Sequence, residues 1–224
     1  EAGGTKEVPV LFEEMDGVWL FMQDKKHKKM KKQEMKVCTV YEGWDAESRG
    51  RNRLVNKTVL AGMEKSSEFH AKREAVIEKT YAADEIGQRI LNGDGGNWIR
   101  EPYDPETIFQ LDRYHVYQEI LRKISDKKAQ EDIRELFDQE KPDEMLEYIK
   151  IYADSVAGSD ETGKGEKRAL ELYNYLNSNR EGLLPWQKRG IKIPEAPEGM
   201  VYKNMGVQEN QNCTVITLRM KHRR

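Results

Sequence analysis

Three acids in this 224-residue chain stand in short punctuated contexts far apart: Asp16 in M-D-G, Asp94 in G-D-G and Glu209 in Q-E-N. Each lies where an apolar run ends or an amphipathic one begins. Carboxylates gathered from separate elements hold hard divalent cations, and such cations carry phosphodiester chemistry. Taken singly, each acid has an ordinary explanation. Asp-Gly is a turn pair, G-D-G-G is loop chemistry, and an acid in the first turn of a helix suits the macrodipole. Against this, Asp16 interrupts a strongly apolar strand pattern, where an unpaired Asp is costly. The glycines around Asp94 let a phosphate or metal approach the backbone. Glu209 shares an inward helical stripe with Cys213, Ile216 and Met220.

Further polar groups surround these acids. Asp112 and His115 follow the last predicted strand in L-D-R-Y-H. In the plainer reading Asp112 caps the next helix and His115 is structural. In the other, His115 faces the scissile phosphate or orients a carboxylate. Lys25, Lys26, Lys28, Lys29, Lys31 and Lys32 form a basic run, and Arg219, Lys221, Arg223 and Arg224 close the chain. Such runs are usually solvated faces, but beside a phosphate-processing site they track a DNA backbone. Trp186 and Tyr175 are core residues or base-stacking groups.

The elements that must position these groups read as follows. Residues 8–22 form a strand with Glu14 and Asp16 on one face. A basic connector over 25–36 leads to strands at 37–41 and 57–63, in an antiparallel meander. A helix capped by Ser66 spans 66–88, with strands at 89–92 and 107–111 and a helix from about His115. Residues 126–189 are charged and helix-favouring, with a flexible loop at 158–165. A stiff linker over 191–200 precedes a final helix. The order matches an α/β, RNase H-like (retroviral-integrase-like) core: a mixed five-stranded sheet flanked by helices, with a helical insertion before the last helix. The expected division is 1–125 for the first part of the core, 126–190 for the insertion, and 191–224 for the linker and final helix.

Composition sets outer bounds. A hydrophobic fraction of 37% and a charged fraction of 35% allow one core with much surface. The net charge of -2 gives no global nucleic-acid signature, so local patterning carries the weight. Cys38 and Cys213 lack metal-ligand spacing and read as reduced thiols of a cytosolic protein. No apolar stretch approaches the roughly 18 residues of a membrane span. The start E-A-G-G-T, without Met, and the end K-H-R-R suggest an excised part of a longer protein.

The stretches F-E-E-M-D-G-V-W-L, N-G-D-G-G-N-W-I-R, F-Q-L-D-R-Y-H and G-V-Q-E-N-Q-N-C-T-V-I-T-L-R-M-K run from Leu11 to Lys221. In combination they resemble a bacterial insertion-sequence DDE transposase family, the Lre type (UPF0236-like), distantly similar to the Mutator-like transposases. The resemblance implies a catalytic core in which Asp16, Asp94 and Glu209 are the catalytic and metal-ligating triad. Asp112 and His115 match the D-x-x-H signature that follows the second Asp in related transposases. It implies two Mg2+ (or Mn2+) ions, hydrolysis at a transposon end to release a 3′-OH, and attack of that hydroxyl on target DNA. The implied partners are DNA, both transposon ends and target, and further copies of the chain on DNA, with no membrane. The implied location is the bacterial cytoplasm, at the nucleoid when DNA-bound. Other readings stay open: an RNase H-like nuclease or resolvase without strand transfer, an inactive DNA-binding transposase fragment, or a helical interaction module whose small sheet keeps Asp16 and Asp94 apart.

Overall fold

A computed structural model describes residues 3–23, 30–48, 53–100, 104–158 and 163–212, without the side chains of Gln23, Met30, Lys31 and Glu209. The first half runs β1 (Lys6–Gln23), β2 (Met30–Tyr41), β3 (Gly43–Asp45), β4 (Leu54–Val55), β5 (Thr58–Gly62), α1 (Ser66–Glu78), β6 (Tyr81–Gly93), α2 (Asn97–Arg100) and β7 (Ile108–Leu111). The helices α3 (Arg113–Lys123), α4 (Lys127–Asp138), α5 (Pro142–Val156) and α6 (Lys164–Ser178) follow, then β8 (Met200–Val201) and α7 (Gln208–Gln211).

The chain is mixed α/β, and its main sheet has five strands in the order β5-β2-β1-β6-β7. Alternating apolar residues carry β1 through the centre. It pairs antiparallel with β2 and parallel with β6. Period-two alternation gives β1 two different faces. One face brings Leu11 and Met15 into a core with Cys38, Val40 and Leu60, covered by Phe69 and Ile77 of α1. Glu13 is also buried on this face, and two guanidinium groups neutralise it. Its carboxylate accepts from Arg89 Nε at 2.7 Å, and Arg73 Nε lies at 3.5 Å. Arg89 in turn bonds Glu74 of α1 at 2.9 and 3.1 Å. A buried acid so paired ties helix to sheet, because removing either partner strands a charge in low dielectric.

Three predicted boundaries move. The basic connector is largely strand: β2 begins at Met30 and pairs with β1 out to Gln23. Lys32 and Glu34 share one side of this strand while Met35 packs on the other, against Val18 and Leu20. The helix expected to reach residue 88 ends at Glu78, and β6 starts at Tyr81. A-A-D-E, residues 82–85, falls in β6 at an irregularity between the Lys6–Tyr81 and Val8–Ile86 pairs with β1. Ser66 is the first residue of α1, and the cap position, Lys65, makes no side-chain cap bond. A small second sheet, β4-β3-β8, was not foreseen.

The chain divides into two units, residues 1–109 with 192–224, and residues 110–191. In the second unit α5 packs on α4 and α6, and α3 on α4 and α6. Its core includes Ile133, Phe137, Met145, Ile149, Leu172 and Leu176. Asp126 starts α4 by accepting from Ala129 N at 2.7 Å. Trp186 is buried, as a core residue would be, while Tyr175 is half-buried. Among the described residues no helix is long and apolar enough to cross a membrane.

Candidate active site

The other face of β1 presents Phe12, Glu14 and Asp16 at two-residue steps, about 7 Å apart along the strand. Each meets the chain as it returns near its C-terminal end. Tyr202 packs edge-on against Phe12 with ring centroids 5.2 Å apart, next to a Phe12–Tyr41 stack at 5.4 Å. Just before it, Met200 and Val201 pair with β3.

Glu14 is fully buried and is the anchor of this contact. It accepts from Gly206 N at 3.1 Å, Val207 N at 2.9 Å and Gln208 N at 3.1 Å, three consecutive backbone donors at the start of α7. Tyr41 OH donates to it at 2.6 Å and Asn92 Nδ2 at 3.2 Å. Burial, and then the neighbouring Glu14 charge, push the Tyr41 hydroxyl well above its usual pKa, so it stays a donor. Gly206 turns the chain with φ +123°, a backbone region that L side chains rarely adopt.

Asp16 sits at the next step, 8% exposed. Its Oδ1 accepts from Gly17 N at 2.7 Å, and its Oδ2 from Asn212 Nδ2 at 2.6 Å. Asn212 is held from one helical turn before, by Gln208 Nε2 at 2.8 Å. Asp94 follows β6 directly. The parallel register pairs Glu14 with Asn92 and Met15 with Gly93. Asp16 and Asp94 each stand one residue beyond that last pair, Asp94 in the loop past the end of β6. The Asp94 carboxylate accepts from Gly96 N at 2.8 Å, which fixes the loop. Gly93 allows the close approach, since a Cβ there would stand 3.1 Å from both Met15 O and Ile99 Cγ2.

Glu209 lies in α7, whose start Glu14 holds and which contacts β1 and β2; its side chain is outside the described residues. Among the described residues no three His, Cys, Asp or Glu side chains form a group able to hold a metal ion. The described part of the expected set is therefore the aspartate pair. Its donors are all oxygen, which suits a hard cation such as Mg2+ or Mn2+. Two buried acceptors on the same side, Gln208 Oε1 and Thr39 Oγ1, have no hydrogen-bond partner among the described residues. Two carboxylates one residue past the last β1–β6 pair offer the oxygen ligands that a hard cation takes.

The remaining candidates divide. Asp112 is the N-cap of α3, accepting from Tyr114 N at 2.9 Å and His115 N at 3.4 Å. His115 stacks edge-on against Tyr114 at 5.6 Å. Both belong to the second unit. Lys32 is described, with its ammonium over the Trp19 ring at 5.3 Å. The side chain of Lys31, and all of Lys25, Lys26, Lys28, Lys29, Arg219, Lys221, Arg223 and Arg224, lie outside the described residues, as does Cys213. Cys38 is a free, buried thiol whose pKa burial raises.

Sequence reasoning set Glu14 on the Asp16 face without its anchoring role, and missed the other groups that hold the site together: Tyr41, Asn92, Gln208 and Asn212. A signal existed for the last two, which flank Glu209 as an amide pair four residues apart on one helical face. Among known proteins, a family model described as an uncharacterised protein family (UPF0236) matches residues 1–211. No curated protein matches the chain.

Proposed function

This chain belongs to the UPF0236 family, and we propose that it is the catalytic core of a DDE-type DNA transposase, cutting transposon-end phosphodiesters and joining them to target DNA. The observation that carries the reading is the β1–β6 register, whose last pair, Met15 with Gly93, stands one residue before Asp16 and Asp94. Strand order and direction add support. Numbering the five strands of the main sheet by their place in the chain gives 3-2-1-4-5, with only the fourth parallel to the first among the pairs described above, as an RNase H-like core requires. The return of the chain to β1 after a helical unit, with Glu209 one residue beyond the last backbone donor to Glu14, fits the same plan.

On this reading Asp16, Asp94 and Glu209 would hold two Mg2+ or Mn2+ ions. Such ions, when bound, lower the pKa of water or a hydroxyl and offset charge on entering and leaving oxygens. The protein's own groups supply position. Asn212 occupies one Asp16 oxygen and fixes the carboxylate plane. Glu14 sets the start of the Glu209 helix against the strand that bears Asp16. No side chain is needed as a nucleophile, so no covalent protein–DNA step enters. The test is nicking of supercoiled plasmid in Mg2+ or Mn2+. Asp16→Asn and Asp94→Asn each bring nicking to background while DNA binding persists; retained nicking by either variant sinks the assignment. Assaying the same reactions for joined products separates a transposase from a nuclease that only hydrolyses.

A further inference from the structure

Beyond residue 17 the β1–β2 hairpin leaves the sheet. β6 pairs with β1 only as far as Met15, and β5 with β2 only over Lys36–Val40. Residues 18–23 and 30–35 therefore form a two-stranded ribbon with no third strand among the described residues. The two sides of the ribbon differ. Val18 and Leu20 are buried with Val37, against Met35, Val59 and Ala61. The opposite side presents Trp19, 50% exposed, and Phe21, 62% exposed. Lys32, directly across from Phe21, holds its ammonium 5.3 Å from the Trp19 centroid and 6.0 Å from that of Phe21. Glu34, across from Trp19, turns toward Gly17 at the sheet end, away from this pair.

We infer that this aromatic side of the ribbon is a nucleic-acid contact, where Trp19 and Phe21 stack on unpaired bases and Lys32 meets the adjoining phosphate. The inference rests on the reading of the chain as a DNA-processing core and adds a binding surface to it. Two observations favour a polyanion with flat apolar groups over other occupants. Two large rings left half or more exposed forgo the burial that an aromatic residue ordinarily gains. The Lys32 cation is already seated against both rings, as at a base-stacking platform, while the Glu34 carboxylate across from Trp19 turns to Gly17. By the alternation of β1, Trp19 and Phe21 fall on the face opposite Asp16, so this surface is separate from the carboxylate site.

The test is equilibrium binding of the whole chain to an oligothymidylate of about 20 nucleotides, in EDTA so that the carboxylate site takes no part. Phosphatidylserine vesicles and sedimentation of the free protein serve as the other arms. Trp19→Ala/Phe21→Ala weakens oligothymidylate binding about tenfold or more with the salt dependence unchanged. Lys32→Gln lowers the slope of log K on log salt by about 0.7. Phe21→Ala alone, keeping the Trp19 reporter, reduces the quenching of its fluorescence on binding. Wild-type affinity in the double variant overturns the inference. So does binding that appears only on vesicles, or an aromatic substitution whose sole effect is a change in oligomeric state. The nicking assay is separate, so a failed ribbon leaves the carboxylate reading standing, and the reverse holds as well.

Discussion

Glu14 and Asp16 are both acids on the same face of β1, yet their surroundings differ. Glu14 is saturated by five donors and closed off from solvent, so it acts as a structural anion. Replacing it with Gln turns an amide N–H toward backbone N–H groups and leaves donors unmet. Glu14→Gln therefore destabilises the chain by at least about 3 kcal/mol, read from the urea midpoint. An unchanged midpoint would show that the anchor is not formed. Asn212→Ala, by contrast, frees one oxygen of Asp16 and costs little folding energy. It lowers metal affinity or nicking by about 10- to 100-fold, as loss of a group that orients a ligand does. The acids at 16 and 94 were legible as interruptions of apolar or glycine-rich runs. Glu14's role was not, because its backbone partners lie 192 to 194 residues away and carry no side-chain signature.

At the scale of elements, apolar alternation located β1, β5 and β7, where local pattern and burial agree. It failed at residues 81–88, whose A-A-D-E sequence favours a helix but lies in β6 between residues 81 and 86, which pair with β1 on either side. The short turn into α7 is set by Gly206. Gly206→Ala meets open space but a backbone at φ +123°, so it costs about 1–3 kcal/mol, measured by the same urea unfolding, and loosens α7. The packing of α1 against α2 carries a pH signature. His70, on α1, bonds the Trp98 carbonyl oxygen at 2.5 Å, and burial, its main cause, lowers the ring's pKa. The unfolded chain then takes up the proton first. This contribution to stability is complete above about pH 6.5 and is lost as pH falls through the lower folded-state value. Urea midpoints at about pH 5 and 7.5 bracket the change, and His70→Asn flattens it; an equal slope in wild type and variant would remove His70 as the cause.

For the whole molecule, element order was enough to expect a five-stranded mixed sheet with helices set between its parts, and the chain has such a sheet. What sequence could not supply was the return of the chain. Residues 200–212 close onto β1 through Tyr202, the backbone of 206–208 and Asn212, each opposite one residue of a Phe12–Glu14–Asp16 row. That row makes the placement of α7 a property of the first unit's own contacts. The central claim is that Asp16 and Asp94 together bind a divalent cation for phosphodiester chemistry. It is tested most directly by titrating the intact chain with Mn2+ and following free Mn2+ by electron paramagnetic resonance. Wild type should show saturable binding that both Asp16→Asn and Asp94→Asn abolish, with folding unchanged. Binding that survives both substitutions, or no binding by the wild-type chain, would contradict the account.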